Sequence, residues 1–538
     1  TLWQCSQPFC GHMRGLAMIG GKQLRDDIMR ALGSLQLLLV IIEPLIHEAF
    51  EHALLLAHFG RERGQLATRS ADIVDACHAF HLLARMHQQI VGHQPDLGAH
   101  QFAQLPVTRG VGKAPLDRAP LVRQPVQRQQ VVQGIAAAIK ENADELFRLL
   151  TTEQGKPHAQ AQQEIYGAAG LAAAQSTLTL DDVVNQDDDT RLSRTRRVPV
   201  GVVGGIVPWN FPIMMAIQKI VPALVAGCTI VLKPSPFTPL TTLRIAELIK
   251  DVVPAGTVNI ITGEDTLGPL ITGHPDIDKI TFTGSTATGK KIMEGAAGDL
   301  KRITLELGGN DASIVLPDAD VQKVAEQLFW SSFSNAGQVC IAAKRIYIHE
   351  DIYDDLSKAI AEYAKTVVVG DGSQQGTGVG PIQNKKQYER VLELIQDAKD
   401  NGYKFLTGGD KDPSGTGYYV PITILDNPPE DARIVAEEQF GPVMPLMKFE
   451  SVDEVIERAN NSEYGLAGAV WTKDTDKGVE IAEQLETGTV WINEFMQLSP
   501  FAPFGGHKQS GFGAEYGIDG LKEFTYPQVI TVKRDAAV

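Results

Sequence analysis

Between residues 200 and 300 the chain switches, at short and regular intervals, from runs that read as strands to runs that read as helices. "VGVVGGIV" precedes "MMAIQKIVPALVAG", and "TIVLK" precedes "PLTTLRIAELIKDV". "TVNIIT" and "KITFTG" follow, the latter leading into "TATGKKIMEGAA". Such alternation is the signature of a parallel sheet covered by helices. A second α/β stretch is expected from "ITLELGG", and the chain closes on short strands such as "GTVWIN". The expected fold is therefore α/β, with two Rossmann-like parallel-sheet layers whose ligands sit at the carboxyl ends of strands. Ahead of them, "VVQGIAAAIKENADELFRLLTTEQGK" reads as one long helix with a glycine near its end.

A chain of 538 residues allows two or three such domains. Its net charge of −16 argues against a nucleic-acid partner, because phosphate binding needs a basic face. No membrane span is expected. The most apolar run, "LQLLLVIIEPLI", has about half the length required and is broken by Glu43 and Pro44. Cys5, Cys10, Cys77, Cys228 and Cys340 are odd in number and lack metal-ligand spacing. Neither a disulfide framework nor a metal site is expected, and a reducing cytoplasm is the default location. Residues 1–126 stand apart: they hold nine of the 13 histidines, no tyrosine and no asparagine, at net charge +2 against −18 for the remainder. "DIVDACHAFHLLARMHQQIV" within them has helical spacing, but its histidines are scattered and do not suggest a metal.

"FSNAGQVCIAAKR", residues 333–345, sets one thiol among small and amide side chains. A free cysteine is ordinarily a small buried hydrophobe, so other residues must decide its role. "TFTGSTATGKK" approaches a phosphate loop, but Lys291 stands where Ser or Thr is needed for magnesium. What remains is a strand, a glycine turn and a helix N-terminus, suited to a pyrophosphate or simply to a tight turn. "VPWNFP" brackets Asn210 with Pro208 and Pro212, either to present one amide rigidly or to close a loop. "LELGGN" places Glu306 at a strand end before two glycines, and "EEQFGPV" adds Glu438 two residues before Phe440. Together these supply a thiol nucleophile, an amide donor, a carboxylate base and a pyrophosphate cradle.

In this order, from about residue 128 to the end, "VPWNFP", "FTGS", "LELGG", "GQVC", "EEQFGPV" and "PFGGHKQSGFG" resemble the aldehyde dehydrogenase superfamily. The resemblance implies that a small aldehyde is oxidised to an acid through a cysteine thiohemiacetal and thioester. Cys340 would be the nucleophile, Asn210 and the Cys340 N–H the oxyanion donors, and Glu306 the base. Lys233, Ser285, Glu438 and Phe440 match the family's contacts to the adenosine ribose, pyrophosphate, nicotinamide ribose and nicotinamide ring. Val207, Pro208, Trp209, Gly284, Leu307 and Gly308 join them as cofactor contacts. The implied division is 127–180 with 200–307 for NAD(P), 308–507 for catalysis, and 181–199 with 524–538 as oligomerisation strands. Through "RLSRTRRVPVG" and "EFTYPQVITVKR" a homodimer or homotetramer is expected.

Three departures qualify the resemblance. Pro236 stands where NAD-preferring relatives often carry Glu, so NAD is expected and NADP stays open. Ser334 stands where some semialdehyde dehydrogenases carry Arg, which points to a medium aliphatic or aromatic aldehyde instead. Phe211, Phe333, Phe495 and Phe504 are the expected lining of an apolar channel. Residues 1–126 match nothing in the family, and a shifted or mis-joined frame is the preferred reading. The rival reading is a catalytically impaired or structural protein on the same scaffold.

Overall fold

The structure is a computed structural model and describes residues 125–410 and 416–534. The frame reading, the apolar run near residue 40 and Cys5, Cys10 and Cys77 all fall outside the described residues. The expected first long helix is two helices, α1 (Pro125–Glu141) and α2 (Ala143–Gln154). Asn142 divides them: its Nδ2 donates to the Ala138 carbonyl at 2.8 Å, a side chain competing for the helix's own acceptor. Gly155, at φ 97°, ends α2 in the left-handed conformation that glycine adopts without strain. Helices α3 (His158–Gln175) and α4 (Pro212–Ala226) follow, and Ile135, Leu146, Ile165 and Ile217 are fully buried among the four.

Strands β1 (Val183–Asp187) and β2 (Arg191–Pro199) form an antiparallel sheet with Thr525–Lys533. The β2 pairing to that last strand runs over nine residues, from Arg191 opposite Lys533 to Pro199 opposite Thr525. Val183, Val184, Val529 and Val532 are at least half exposed on it.

The first large sheet contains β3 (Val202–Ile206), β4 (Thr229–Lys233), β5 (Val258–Ile260), β6 (Lys279–Thr283) and β7 (Arg302–Glu306). Its order is Gly511–Phe512, β7, β6, β3, β4, β5, parallel except for the antiparallel Gly511–Phe512 edge. The chain runs outward from β3 to β5, then returns to β6 on the other side of β3. That reversal opens a crevice beyond the carboxyl ends of β3 and β6, where open α/β sheets bind ligands. Register brings the ends together: Ile206 lies opposite Lys233 and Phe282, and Thr283 opposite Glu306.

This corrects the expectation that a second stretch starts at "ITLELGG". Strand β7 pairs with β6 along its whole length, so it completes the first sheet. After the glycines at 308 and 309 the second sheet begins, at β8 (Asp311–Val315). Its order is Lys404–Thr407, Thr423–Asp426, Val443–Phe449, β9 (Ala343–His349), β8, Ala467–Trp471, Thr489–Ile492. Only the Lys404–Thr407 edge is antiparallel. Strand β8 is wholly buried, and the Trp471 indole inside donates to Ser313 Oγ at 2.7 Å. Here a second correction arises. The chain leaves the carboxyl end of β7 and enters the amino end of β8 within four residues, so the second sheet offers its amino ends to the same region. Cys340 precedes β9 and Glu438 precedes Val443–Phe449.

Candidate active site

The helix Val321–Phe333 stops at Ser334, and Asn335, Ala336 and Gly337 then take φ of 50°, 55° and 71°. Three left-handed residues in a row, one of them alanine, are costly unless their surroundings fix them. Here amides from distant elements do so. The Asn335 N–H donates to Gln160 Oε1 at 2.8 Å, its Nδ2 donates to the Asn210 carbonyl at 3.0 Å, and its Oδ1 accepts from Gln154 Nε2 at 3.0 Å. Gln338 Nε2 donates to the Asn335 carbonyl at 2.8 Å, while its Oε1 accepts the Gln383 N–H at 2.9 Å. Two residues later stands Cys340. Gly337→Ala is expected to lower stability by at least about 1–3 kcal/mol, from its left-handed φ alone. A Cβ there would also press on the Gly441 carbonyl. Thermal unfolding checks this, and an unshifted melting temperature would count against a fixed loop.

Asn210 is buried and its Nδ2 donates to the Gln338 carbonyl at 2.9 Å, which ties "VPWNFP" to the cysteine loop. An amide nitrogen carries two hydrogens, so one remains for an oxyanion. The Asn210 carbonyl also accepts from Lys156 Nζ at 2.9 Å. Lys156 pairs with Glu164 at 2.5 Å, both side chains fully buried. Glu164 Oε1 in turn accepts the Ile213 and Met214 N–H groups at 2.9 and 3.2 Å, closing the N-terminus of α4. Sequence reading missed Gln154, Lys156, Gln160 and Glu164, because no motif spacing joins them to residues 210 and 335.

Glu306 is buried, and neither carboxylate oxygen has a hydrogen-bond partner among the described residues. Burial first, then the charge of Glu515, raise its pKa well above the ordinary carboxylate value, while Lys219 opposes them. Lys219 and Glu515 form a buried ion pair, also missed from sequence, and Gln218 Nε2 donates to the same Glu515. Cys340 is half-buried. Burial pushes its thiol up to about 12, Lys344 lowers it, and Glu438, Asp311 and Glu306 raise it. Glu306 and the Cys340 thiol thus lie within electrostatic reach of each other.

On the cofactor side, the Val207 N–H donates to the Lys233 carbonyl at 3.1 Å, joining the ends of β3 and β4. The Gly284 N–H donates to the Glu306 carbonyl at 3.0 Å. Ser285 caps the helix Thr286–Ala297, its oxygen accepting the Thr288 N–H at 3.3 Å. Pro208 is half-buried, and the Trp209 and Phe440 rings meet edge to face at 5.5 Å. Leu307 is buried, and a Cβ on Gly308 would collide with Glu438 Oε2, so the glycine admits that carboxylate. Lys233 is buried, and loss of water lowers its pKa against the charges of Asp265 and Glu264. A capped helix N-terminus, a lysine and a glycine-lined crevice at the sheet's reversal fit a dinucleotide. Among the expected channel phenylalanines, Phe333 is corrected. It is fully buried, packed on Phe329 at 4.6 Å, because it ends the inner face of its helix. Phe495 and Phe504 are also buried, and Phe211 lies under Lys156 Nζ at 3.8 Å.

Residues 121–530 match the model of the aldehyde dehydrogenase family. A probable aldehyde dehydrogenase from a Pseudomonas species is 44% identical over 411 residues, 75% of this chain and 82% of the relative. The phenylacetaldehyde dehydrogenase of Pseudomonas fluorescens is 40% identical over 415 residues, 75% of this chain and 83% of the relative. Among solved structures, the NAD+ complex of aldehyde dehydrogenase from Bacillus cereus aligns with TM-score 0.76 at 39% identity, covering 78% of this chain and 86% of that one. By these matches the chain is an NAD(P)-dependent oxidoreductase acting on aldehydes, and it belongs to the aldehyde dehydrogenase family.

Proposed function

We propose that this chain oxidises a medium aliphatic or aromatic aldehyde, with Cys340 as nucleophile, Asn210 and the Cys340 N–H as oxyanion donors, and Glu306 as base. The observation that carries the reading is Glu306: a buried carboxylate with both oxygens unpartnered among the described residues, acting on the thiol of Cys340. Cys340 adds to the aldehyde carbon as its thiolate, the thiol proton having passed to solvent, and the new alkoxide is met by the second hydrogen of Asn210 Nδ2 and by the main chain. One such donor is typically worth ~100- to 1000-fold in rate. When bound, NAD(P) supplies the hydride acceptor that leaves a thioester on Cys340. Glu306 then takes a proton from water as the water attacks the thioester carbon. The acid departs and the sulfur is freed. A raised pKa makes Glu306 a stronger base than an ordinary carboxylate, and the Lys219–Glu515 pair adjusts that value.

Val207, Pro208, Trp209, Gly284, Ser285, Leu307 and Gly308 would line the dinucleotide crevice. Lys233 would take the adenosine ribose, Glu438 the nicotinamide ribose and Phe440 the ring. Pro236 offers no carboxylate to repel a 2′-phosphate, so both NAD and NADP serve as probes. Residues 127–180 with 200–307 would form the cofactor domain and 308–507 the catalytic one. Appearance of NAD(P)H with benzaldehyde, phenylacetaldehyde and succinic semialdehyde tests the whole. Turnover of the first two should exceed that of the third, since Ser334 offers no cation to a distal carboxylate. Silence with all three would sink the reading and revive a protein impaired in catalysis.

Residues 181–199 and 524–538 are proposed as the oligomerisation strands of a homodimer or homotetramer. What supports this is a sheet that, among the described residues, has three strands and carries exposed valines, a surface suited to another chain. Sedimentation velocity is expected to give a dimer or larger, and Val529→Asp with Val532→Asp to yield smaller species. An active wild-type monomer would contradict it. Few cysteines and a thiol nucleophile suit a reducing cytoplasm, which cell fractionation checks.

A further inference from the structure

Lys344 is the second residue of β9, after Ala343 and four residues after the nucleophile, and only 3% of its side chain is exposed. A lysine buried to this degree needs partners. Its Nζ donates to the carbonyl of Cys340 at 2.6 Å and lies 3.4 Å from Glu438 Oε1. That same oxygen accepts the Gly309 N–H at 3.2 Å. One ammonium therefore joins the main chain of Cys340, the carboxylate of Glu438 and, through it, the glycine turn after Glu306. On the neighbouring strand, Asp311 pairs in register with Ala343. Its Oδ1 accepts the Ala467 N–H at 3.2 Å, and its Oδ2 has no partner among the described residues.

We propose that Lys344 is a positioning residue for the reaction, a buried cation that fixes the nucleophile's backbone against Glu438 and sets the thiol's readiness to ionise. The inference rests on Cys340 being the nucleophile and Glu438 the ribose contact. The charges facing the thiol are Lys344 against Glu438, Asp311 and Glu306. Tyr516, whose own pKa is raised by burial, Glu515, Glu306 and Cys340, lies within electrostatic reach of the same thiol. Burial pushes the Asp311 carboxyl up to about 7, and Lys344 draws it back. Removing Lys344 would leave three carboxylates against one thiol, so the thiolate becomes harder to form. Removing Asp311 acts in the opposite sense.

The test is the rate of Cys340 alkylation by iodoacetamide across pH, in the full chain without cofactor, with the modified cysteine identified by peptide mapping. In Lys344→Met the midpoint should move upward. At a fixed pH below the midpoint alkylation should slow by about tenfold or more, since one pH unit is tenfold in thiolate. Lys344→Arg, which keeps the charge, should return most of the profile, and Asp311→Asn should move the midpoint downward. In parallel, KM for NAD should rise in Lys344→Met, because Glu438 keeps only the Gly309 N–H of its two partners. A Lys344→Met profile that superimposes on wild type, in an enzyme that still turns over, would overturn the proposal and leave the aldehyde oxidation reading intact. Where Lys344→Met does not fold, the other two variants decide: an Asp311→Asn midpoint unmoved or raised overturns it. A wild-type Cys340 that resists alkylation while aldehyde is still oxidised would remove the nucleophile assignment itself.

Discussion

Cys340→Ala is expected to lower kcat/KM for aldehyde oxidation by about 10⁴-fold or more, the scale seen when a covalent nucleophile is deleted. Cofactor binding should persist, because the crevice residues lie on the ends of β3, β4 and β6 and on the Glu438 loop. No described thiol can substitute. Cys228 is buried, its sulfur donates to the Phe524 carbonyl at 3.3 Å, and burial pushes its pKa up to about 11. NAD(P)H production by the purified variant measures the loss, and fluorescence titration with NADH measures the retained binding. Substantial turnover in Cys340→Ala would end the assignment of nucleophile.

Glu306→Gln should reduce steady-state kcat by about 10²- to 10⁴-fold, the usual contribution of a general base. A burst of NAD(P)H should survive, since forming the thioester does not call on this base. The pH dependence carries a sign. Glu306 works as a base only after losing its proton. Burial and Glu515 hold that proton to a pH above the ordinary carboxylate range. Deacylation in the wild type is therefore expected to climb with pH beyond that range, and the climb should vanish in Glu306→Gln. A first turnover slowed as much as the later ones would argue that the carboxylate acts before the thioester forms.

The alternation between residues 200 and 300 made the first sheet legible, because strand and helix periods differ and glycines mark their junctions. The alternation alone puts the strand at "ITLELGG" in the second layer, for a physical reason: pairing with β6 is a property of register, which no single strand displays. Motifs singled out Cys340, Glu306 and Asn210 as candidates, since each sits in a short run with unusual neighbours. The lattice beneath them was hidden. Gln154 and Asn335 are 181 positions apart in the chain, and Lys219 and Glu515 are 296 apart. Such pairs meet only when helices α2 to α4 and the chain's final turns pack on the sheets. Phe333 erred in the opposite way, an aromatic beside the motif that belongs to the core.

The amides clustered under the cysteine loop bear on how a protein like this can diversify. Gln154, Gln160, Asn335 and Gln338 consume one another's donors and acceptors in a buried setting, so a single change strands several polar atoms at once. The ground under the loop that leads to Cys340 is therefore closed to gradual substitution. Change is absorbed more readily beside it, where side chains such as Ser334 and Phe211 are only partly covered and can be exchanged one by one.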